Sequence, residues 1–254
     1  MSLDGLEPVV REPGASLPGS GESQVWAFSL DLEPPVLAAL QPLLSSDEMS
    51  RADRLRDPRD RSRFIAGRAQ LRQVLGDCLG RPPGALQFIP SPEGKPSLEG
   101  DSGAPPLHFS VAGSEALGLL AVRTDAEIGV DVERVRPMAD LPALARRMLG
   151  ADEHREYEMI PKARREARFF EYWVRKEAVA KALGTGLREG LHRLRIHPWP
   201  LEAPHPLECL AEDGRATTWV IGIPVPVAGY VAALAATRPI GPVLTAWWEP
   251  RAPD

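Results

Sequence analysis

The sequence predicts an α+β fold: two similar α/β halves in one chain. Three observations lead there. Helical periodicity followed by short strand-like runs occurs once before residue 120 and again after residue 127. The stretch between, 120–127, falls where one such run ends and the next begins. The 254 residues, 43% of them apolar, suffice for one large domain or two small ones, each with a core. No strict internal sequence repeat is present.

Residues 1–23 are rich in Pro, Gly and Ser without a period, and read as a flexible N-terminal tail. The N-terminal half spans 24–123. Residues 25–32 alternate as a strand does. Ser45 and Ser46 before Asp47 and Glu48 signal the N-terminus of a helix reaching about residue 55. A second helix is predicted over 58–79, with Phe64, Ala69, Leu71, Val74 and Leu75 on its apolar side and Pro82–Pro83 beyond its end. A short strand over 86–89 precedes a loop over 91–106 that contains Gly94-Lys95-Pro96. Residues 108–111 and 117–122 read as paired strands around a Gly113-Ser114-Glu115 turn.

The C-terminal half spans 124–238. It opens with a strand over 128–133, then helices over 141–149, 152–160 and 163–183, the last stopped by Gly184-Thr185-Gly186. Strands over 219–223 and 230–236 complete it, and the Pro-rich residues 239–254 read as a peripheral tail.

Composition narrows the function. The net charge of −5 argues against a general nucleic-acid binder. No apolar run approaches the ~20 residues a membrane helix needs, and the N-terminus lacks the pattern of a signal peptide. Cys78 and Cys209 fit no ligand spacing, as in a reduced cytoplasmic protein. The five histidines show no metal-ligand spacing, and P-loop, dinucleotide and nucleophile-elbow motifs are absent. Of 30 basic residues only Lys95, Lys162, Lys176 and Lys181 are lysines. Where Arg serves as the general cation, a Lys can mark a need for a compact ammonium.

Two segments carry chemistry. In Gly129-Val130-Asp131-Val132-Glu133 the two acids share one face of a strand. Such a pair is either a solvated face or half of a Mg²⁺ site, since Mg²⁺ takes one or two carboxylates plus phosphate oxygens and water. In Trp173-Val174-Arg175-Lys176-Glu177-Ala178-Val179-Ala180-Lys181, helical spacing from Phe170 puts Glu177 and Lys181 in line with the apolar residues. Burying such charges is costly unless they are paired or bind an ion. The alternative is an ordinary i,i+4 pair worth a few tenths of a kcal/mol. Joined to Asp131 and Glu133, Glu177 would complete a three-carboxylate set. Residues 51–72 add eight arginines and three aspartates, either an anion-binding patch or a solvated helix face.

These residues resemble the Sfp-type 4′-phosphopantetheinyl transferases. The signatures are Gly129-Val130-Asp131-Val132-Glu133 and Trp173-x-x-Lys176-Glu177-x-x-x-Lys181, followed by Gly184-x-Gly186. Gly94-Lys95-Pro96, His108-Phe109-Ser110 and the 64–75 helix with Gly67 and Leu71-Arg72 support them. The resemblance implies the 4′-phosphopantetheinyl transferase fold, two similar α/β halves with the active site at their interface, and transfer of phosphopantetheine from coenzyme A to a carrier-protein serine, releasing adenosine 3′,5′-bisphosphate. It implies Asp131, Glu133 and Glu177 as Mg²⁺ ligands, Glu177 also as general base, and Lys181 beside the pyrophosphate. Arg51, Lys95, Lys176 and Lys181 are the expected coenzyme-binding cations, and acyl or peptidyl carrier domains of polyketide, nonribosomal-peptide or fatty-acid synthases the expected partners. A monomer is expected. The chain departs from the family at Ala112-Gly113-Ser114, where a Ser-His-Ser run is usual, and at Glu48, where a basic residue is frequent. A non-catalytic module binding coenzyme A or a carrier, or another Mg²⁺-dependent phosphotransferase, are the competing readings.

Overall fold

The computed structural model describes residues 17–90, 95–99, 106–184, 191–196, 207–211, 217–223, 225 and 227–252. Most of the expected N-terminal tail and of the 91–106 loop, with Gly94, lies outside them, as do Thr185, Gly186, His197 and His205.

In chain order the elements are β1 (Ser23–Ser29), α1 (Pro34–Leu40), α2 (Ser46–Asp53), α3 (Pro58–Leu79), β2 (Phe88–Pro90), β3 (Pro96–Leu98), β4 (His108–Ser114), β5 (Leu117–Arg123) and β6 (Ile128–Arg134). There follow α4 (Leu141–Met148), α5 (Ala151–Met159), α6 (Lys162–Leu183), β7 (Leu194–Arg195), β8 (Leu207–Ala211), β9 (Thr217–Ile223), β10 (Tyr230–Ala236) and β11 (Val243–Trp247). Helix and sheet mix as an α+β fold.

One four-stranded sheet runs β11-β1-β5-β4 and one five-stranded sheet β6-β10-β9-β8-β7. The two face each other across a core of Val25, Ala27, Leu119 and Ala121 on one side and Ile128, Val130, Val132 and Leu234 on the other. The outer face of the first sheet packs Trp26, Phe28 and Leu120 on Leu71, Val74 and Leu75 of α3. The outer face of the second packs Ala233 and Ala235 on Val174, Ala178 and Ala182 of α6. The layers are therefore helix, sheet, sheet, helix, each strand burying alternate residues on opposite sides.

The helix ends follow their sequence signals. Ser45 accepts from Glu48 N while the Glu48 side chain accepts from Ser45 N, a full capping box for α2. Asp57 caps α3 ahead of Pro58 at its first turn. Gly184, at φ 69°, closes α6 in the left-handed region, where glycine carries no Cβ penalty.

Gly129 sets how closely α6 lies on β6. A Cβ there would stand 2.0 Å from Ala178 O and 2.5 Å from the Ala182 amide nitrogen. The glycine, with Ala178 and Ala182, lets helix and strand backbones approach. Val130 and Val132 point to the inter-sheet core, so the alternate residues Gly129, Asp131 and Glu133 lie on the helix side.

β4 and β6 lie side by side at the junction of the sheets and are tied by serine hydroxyls. Ser110 Oγ accepts from Val130 N at 3.1 Å, and Ser114 Oγ accepts from Arg134 N at 3.2 Å.

One expectation is corrected. Residues 239–254 are not merely peripheral: β11 pairs in parallel with β1 at the edge of the first sheet, Ser23 opposite Val243 through Ala27 opposite Trp247. Trp248 is buried edge-on against Trp26, ring centroids 5.8 Å apart, and Arg251 bonds both oxygens of Asp77 at 2.7 and 2.6 Å. The segment Val243-Leu244-Thr245-Ala246-Trp247 is a strand bounded by prolines, and its partner is the distant N-terminus. Prolines outside a strand do not weaken it.

Candidate active site

A cleft of about 800 Å³ opens between α2–α3, β4 and the C-terminal end of α6. Arg51, Phe64 and Arg68 line one wall, and Glu177 and Lys181 the other. Lys95 and Gly113 complete its rim.

The acid wall is built by β6 and α6 facing each other across Gly129. Asp131 is 7% exposed. Its Oδ1 accepts from Lys181 Nζ at 2.7 Å, and the same ammonium donates to Val130 O at 3.1 Å. Asp131 Oδ2 is buried with no hydrogen-bond partner among the described residues, and so is Glu177 Oε1. Burial raises the Asp131 carboxyl to about 6, against the pull of Lys181 and with a push from Glu133. Burial likewise raises Glu177 to about 7; the neighbouring Asp131 adds to this, Lys181 opposes it and Glu133 contributes. Three acids thus feel one another around one ammonium.

Glu133 is held differently. Its Oε2 accepts from Ser114 Oγ at 2.6 Å and from Arg136 Nη1 at 3.3 Å. Among the described residues no group of three His, Cys, Asp or Glu side chains stands ready-made for a metal. Lys181 occupies one oxygen of Asp131, and Ser114 with Arg136 occupies one of Glu133. The donor chemistry nevertheless fits a hard divalent cation. Two buried carboxylate oxygens lack hydrogen-bond partners among the described residues, and a cation would offset the burial that raises both pKa values and the repulsion among the acids that adds to it.

The basic wall is largely self-paired. Arg51, on the last turn of α2, stands over the Phe64 ring at 5.3 Å. Arg63 bonds Asp31 at 2.6 Å, with Arg59 on the same carboxylate. Glu48, buried, accepts from Arg72 Nε at 2.8 Å and from Arg68, besides capping α2. The acid that replaces a frequent family cation is therefore a structural hub joining α2 to α3. Lys95 Nζ reaches the rim but bonds Glu127 Oε2 at 2.6 Å and Ile128 O at 3.1 Å. His108 Nδ1 pairs with the other Glu127 oxygen at 2.8 Å. The His108 bond first, and Lys95 with it, hold the Glu127 carboxyl down at about 2.

Of the expected site residues, Arg51, Lys95, Glu177 and Lys181 line the cleft, and Asp131 reaches it through its pairing with Lys181. Lys176 is corrected. It is 0% exposed, and its ammonium donates to Glu153 Oε2 at 2.6 Å, Leu194 O at 2.7 Å, Leu191 O at 3.0 Å and Met148 O at 3.1 Å. It ties α6 to the ends of α4 and β7 and is not among the residues lining the cleft. A helix advances 100° per residue, so the neighbour of a cleft residue faces elsewhere.

Sequence reasoning missed Glu127, Arg136 and the bond from Ser114 to Glu133. Only the alignment of β4 with β6 creates that bond. The Glu127 bridge has a fainter signal, an acid directly before the Ile128 strand.

Comparison with known proteins bears on the family of the chain. The family model described as the 4′-phosphopantetheinyl transferase superfamily matches residues 127–235, which hold β6 and α6. The chain is 38% identical over 183 residues to 4′-phosphopantetheinyl transferase HetI of Nostoc sp., covering 72% of this chain and 77% of that protein. It is 36% identical over 176 residues to a putative 4′-phosphopantetheinyl transferase of Synechocystis sp., covering 68% and 69%. It is 30% identical over 197 residues to 4′-phosphopantetheinyl transferase psf-1 of Bacillus pumilus, covering 75% and 77%. The chain belongs to the 4′-phosphopantetheinyl transferase family and is a transferase of that type.

Proposed function

We propose that this chain transfers 4′-phosphopantetheine from coenzyme A to a serine of an apo acyl or peptidyl carrier protein, in a Mg²⁺-dependent reaction that releases adenosine 3′,5′-bisphosphate. The observation that carries the reading is the pair of buried oxygens, Asp131 Oδ2 and Glu177 Oε1, that have no hydrogen-bond partner among the described residues, beside Lys181 at the cleft. Two similar halves, 24–123 and 124–238, are proposed with the cleft at their junction, β11 from beyond the second half completing the sheet of the first.

Asp131, Glu133 and Glu177 would hold the Mg²⁺. Once bound it would neutralise pyrophosphate charge and orient the reacting phosphorus. Arg51 and Lys95 bind the coenzyme's phosphates, Lys95 turning from Glu127 to do so. Lys181 lies where charge builds on the pyrophosphate oxygens and stabilises it there. Glu177 accepts the carrier serine's proton, directly or through water. The serine oxygen then forms its bond to the phosphorus bearing the pantetheine arm as the bond to the adenylate side breaks. The nucleophile belongs to the partner, so the chain needs no catalytic serine.

Incubation of the purified protein with coenzyme A, Mg²⁺ and an apo carrier domain tests this by intact mass. The carrier is expected to gain one phosphopantetheine group. No gain across several unrelated carriers would sink the proposal. The departure at Gly113 favours one competitor, a module that binds without turnover. Calorimetric binding of coenzyme A with no carrier modification would establish it.

A further inference from the structure

We infer that Ser114 is a positioning residue for the acid wall: its hydroxyl fixes which oxygen of Glu133 faces a divalent cation while fastening β4 to β6. This rests on the Mg²⁺ reading proposed above.

Ser114 is the last residue of β4 and is 9% exposed. Its single hydroxyl does two things at once. Oγ donates to Glu133 Oε2 at 2.6 Å and accepts from the Arg134 backbone N–H at 3.2 Å. Accepting that amide aims the hydroxyl's one proton at the carboxylate, because donor and acceptor directions on a hydroxyl are mutually constrained. Arg136 Nη1 reaches the same Oε2 at 3.3 Å and is itself steadied over the Phe170 ring at 5.4 Å. Two donors thus converge on one oxygen. The carboxylate cannot rotate freely about its last bond, and Oε1 is the oxygen left to turn toward Asp131 and Glu177.

The pattern contrasts with Ser110, four residues earlier on β4. Its Oγ also accepts a β6 amide, Val130 N at 3.1 Å, yet among the described residues no carboxylate is bonded to it. Ser110 is a strand fastener only. Ser114 adds the carboxylate bond at the one β6 acid not already held by Lys181. Partners of this kind typically change metal affinity 10–100-fold when removed.

The test measures Mn²⁺ binding by electron paramagnetic resonance, in the presence of coenzyme A, for wild type, Ser114→Ala, Ser114→Thr, Glu133→Ala and the Ser114→Ala/Glu133→Ala double variant. Ser114→Ala is expected to weaken Mn²⁺ binding about tenfold, and Ser114→Thr, which keeps the hydroxyl, to restore it. The double variant is expected to bind no more weakly than Glu133→Ala alone. An unchanged Mn²⁺ affinity in Ser114→Ala with only a lowered melting temperature would reduce Ser114 to a fastener and overturn the inference. So would a failure of Thr to rescue, or additive losses in the double variant. If Ser114→Ala does not fold, Arg136→Ala removes the other donor to the same oxygen: a several-fold loss supports the inference and no loss overturns it. Wild-type protein that binds no Mn²⁺ would instead fail the Mg²⁺ reading itself, and the inference with it.

Discussion

The two faces of α6 bury charge in opposite ways. On one face Lys176 is fully buried and its ammonium is surrounded by the Glu153 carboxylate and three backbone carbonyls. Glu153 in turn caps α5 through Gly150 N at 2.7 Å and takes Ile196 N at 2.9 Å. On the other face, one and five residues along, Glu177 and Lys181 meet Asp131 with two carboxylate oxygens left without hydrogen-bond partners among the described residues. The first face is a completed polar network. The second is short of positive charge, and its acids are driven up toward neutrality. A buried charge that is saturated serves the fold; one left wanting is poised for a ligand.

The sharpest way to break the comparison is to remove an acid from the unsaturated face. Asp131→Ala or Glu177→Ala is expected to lower carrier modification by about 10²–10³-fold or more while the folded circular dichroism spectrum is retained. Near-wild-type turnover would take that residue out of the site.

The next largest effect belongs to the saturated face and should appear in stability instead. Lys176→Met strands Glu153 as an uncompensated buried carboxylate, a loss of about 3–5 kcal/mol for a broken buried pair. Denaturant unfolding should show it, with whatever protein remains folded still active. A stable but inactive variant would return Lys176 to the chemistry.

Gly129→Ala tests the contact between the two elements that carry the acids. Its Cβ would overlap backbone atoms of α6 that no side-chain rotation can move aside. Overpacking of this kind costs about 1–3 kcal/mol, occasionally more. Because the strand must shift, activity should fall along with the melting temperature; a neutral variant would mean β6 and α6 need not be so close.

The smallest effect is one of pH. Both acids have folded pKa values above their ordinary ones, about 6 against 3.8 for Asp131 and about 7 against 4.5 for Glu177. The folded state therefore holds these protons more tightly than the unfolded chain. The resulting stabilisation is complete below about pH 4 and is lost as pH rises through 6 to 7. Glu177→Gln should raise the melting temperature of the metal-free protein at pH 8 and leave it unchanged at pH 4. Added Mg²⁺ should stabilise the wild type at pH 8, and progressively less as the acids protonate. A variant no more stable than wild type at pH 8 would mean that the charge of Glu177 is already compensated.

Much of this was legible in the sequence, for local reasons. The extents of α3 and α6 were visible because an apolar period runs along each helix and a stop signal follows it, Pro82–Pro83 after α3 and Gly184 after α6. The facing of Asp131 and Glu133 followed from strand alternation alone. Boundaries of β1 shifted by two or three residues, since edge positions carry little periodic signal. β11 was hidden because its pairing partner lies at the other end of the chain. Lys176 was misread because motif membership says nothing of the direction in which a side chain leaves a helix.

The sequence by itself determined the residue types, their spacing on strand and helix, and the family to which they belong. It did so because those signals repeat within a few residues. Only the tertiary structure decided which charges are completed and which are left short. That depends on backbone carbonyls and side chains from distant segments: Met148 and Leu194 around Lys176, Val130 beneath Lys181, Ser114 against Glu133. Long-range packing brings such groups within hydrogen-bond reach, and no local pattern encodes it.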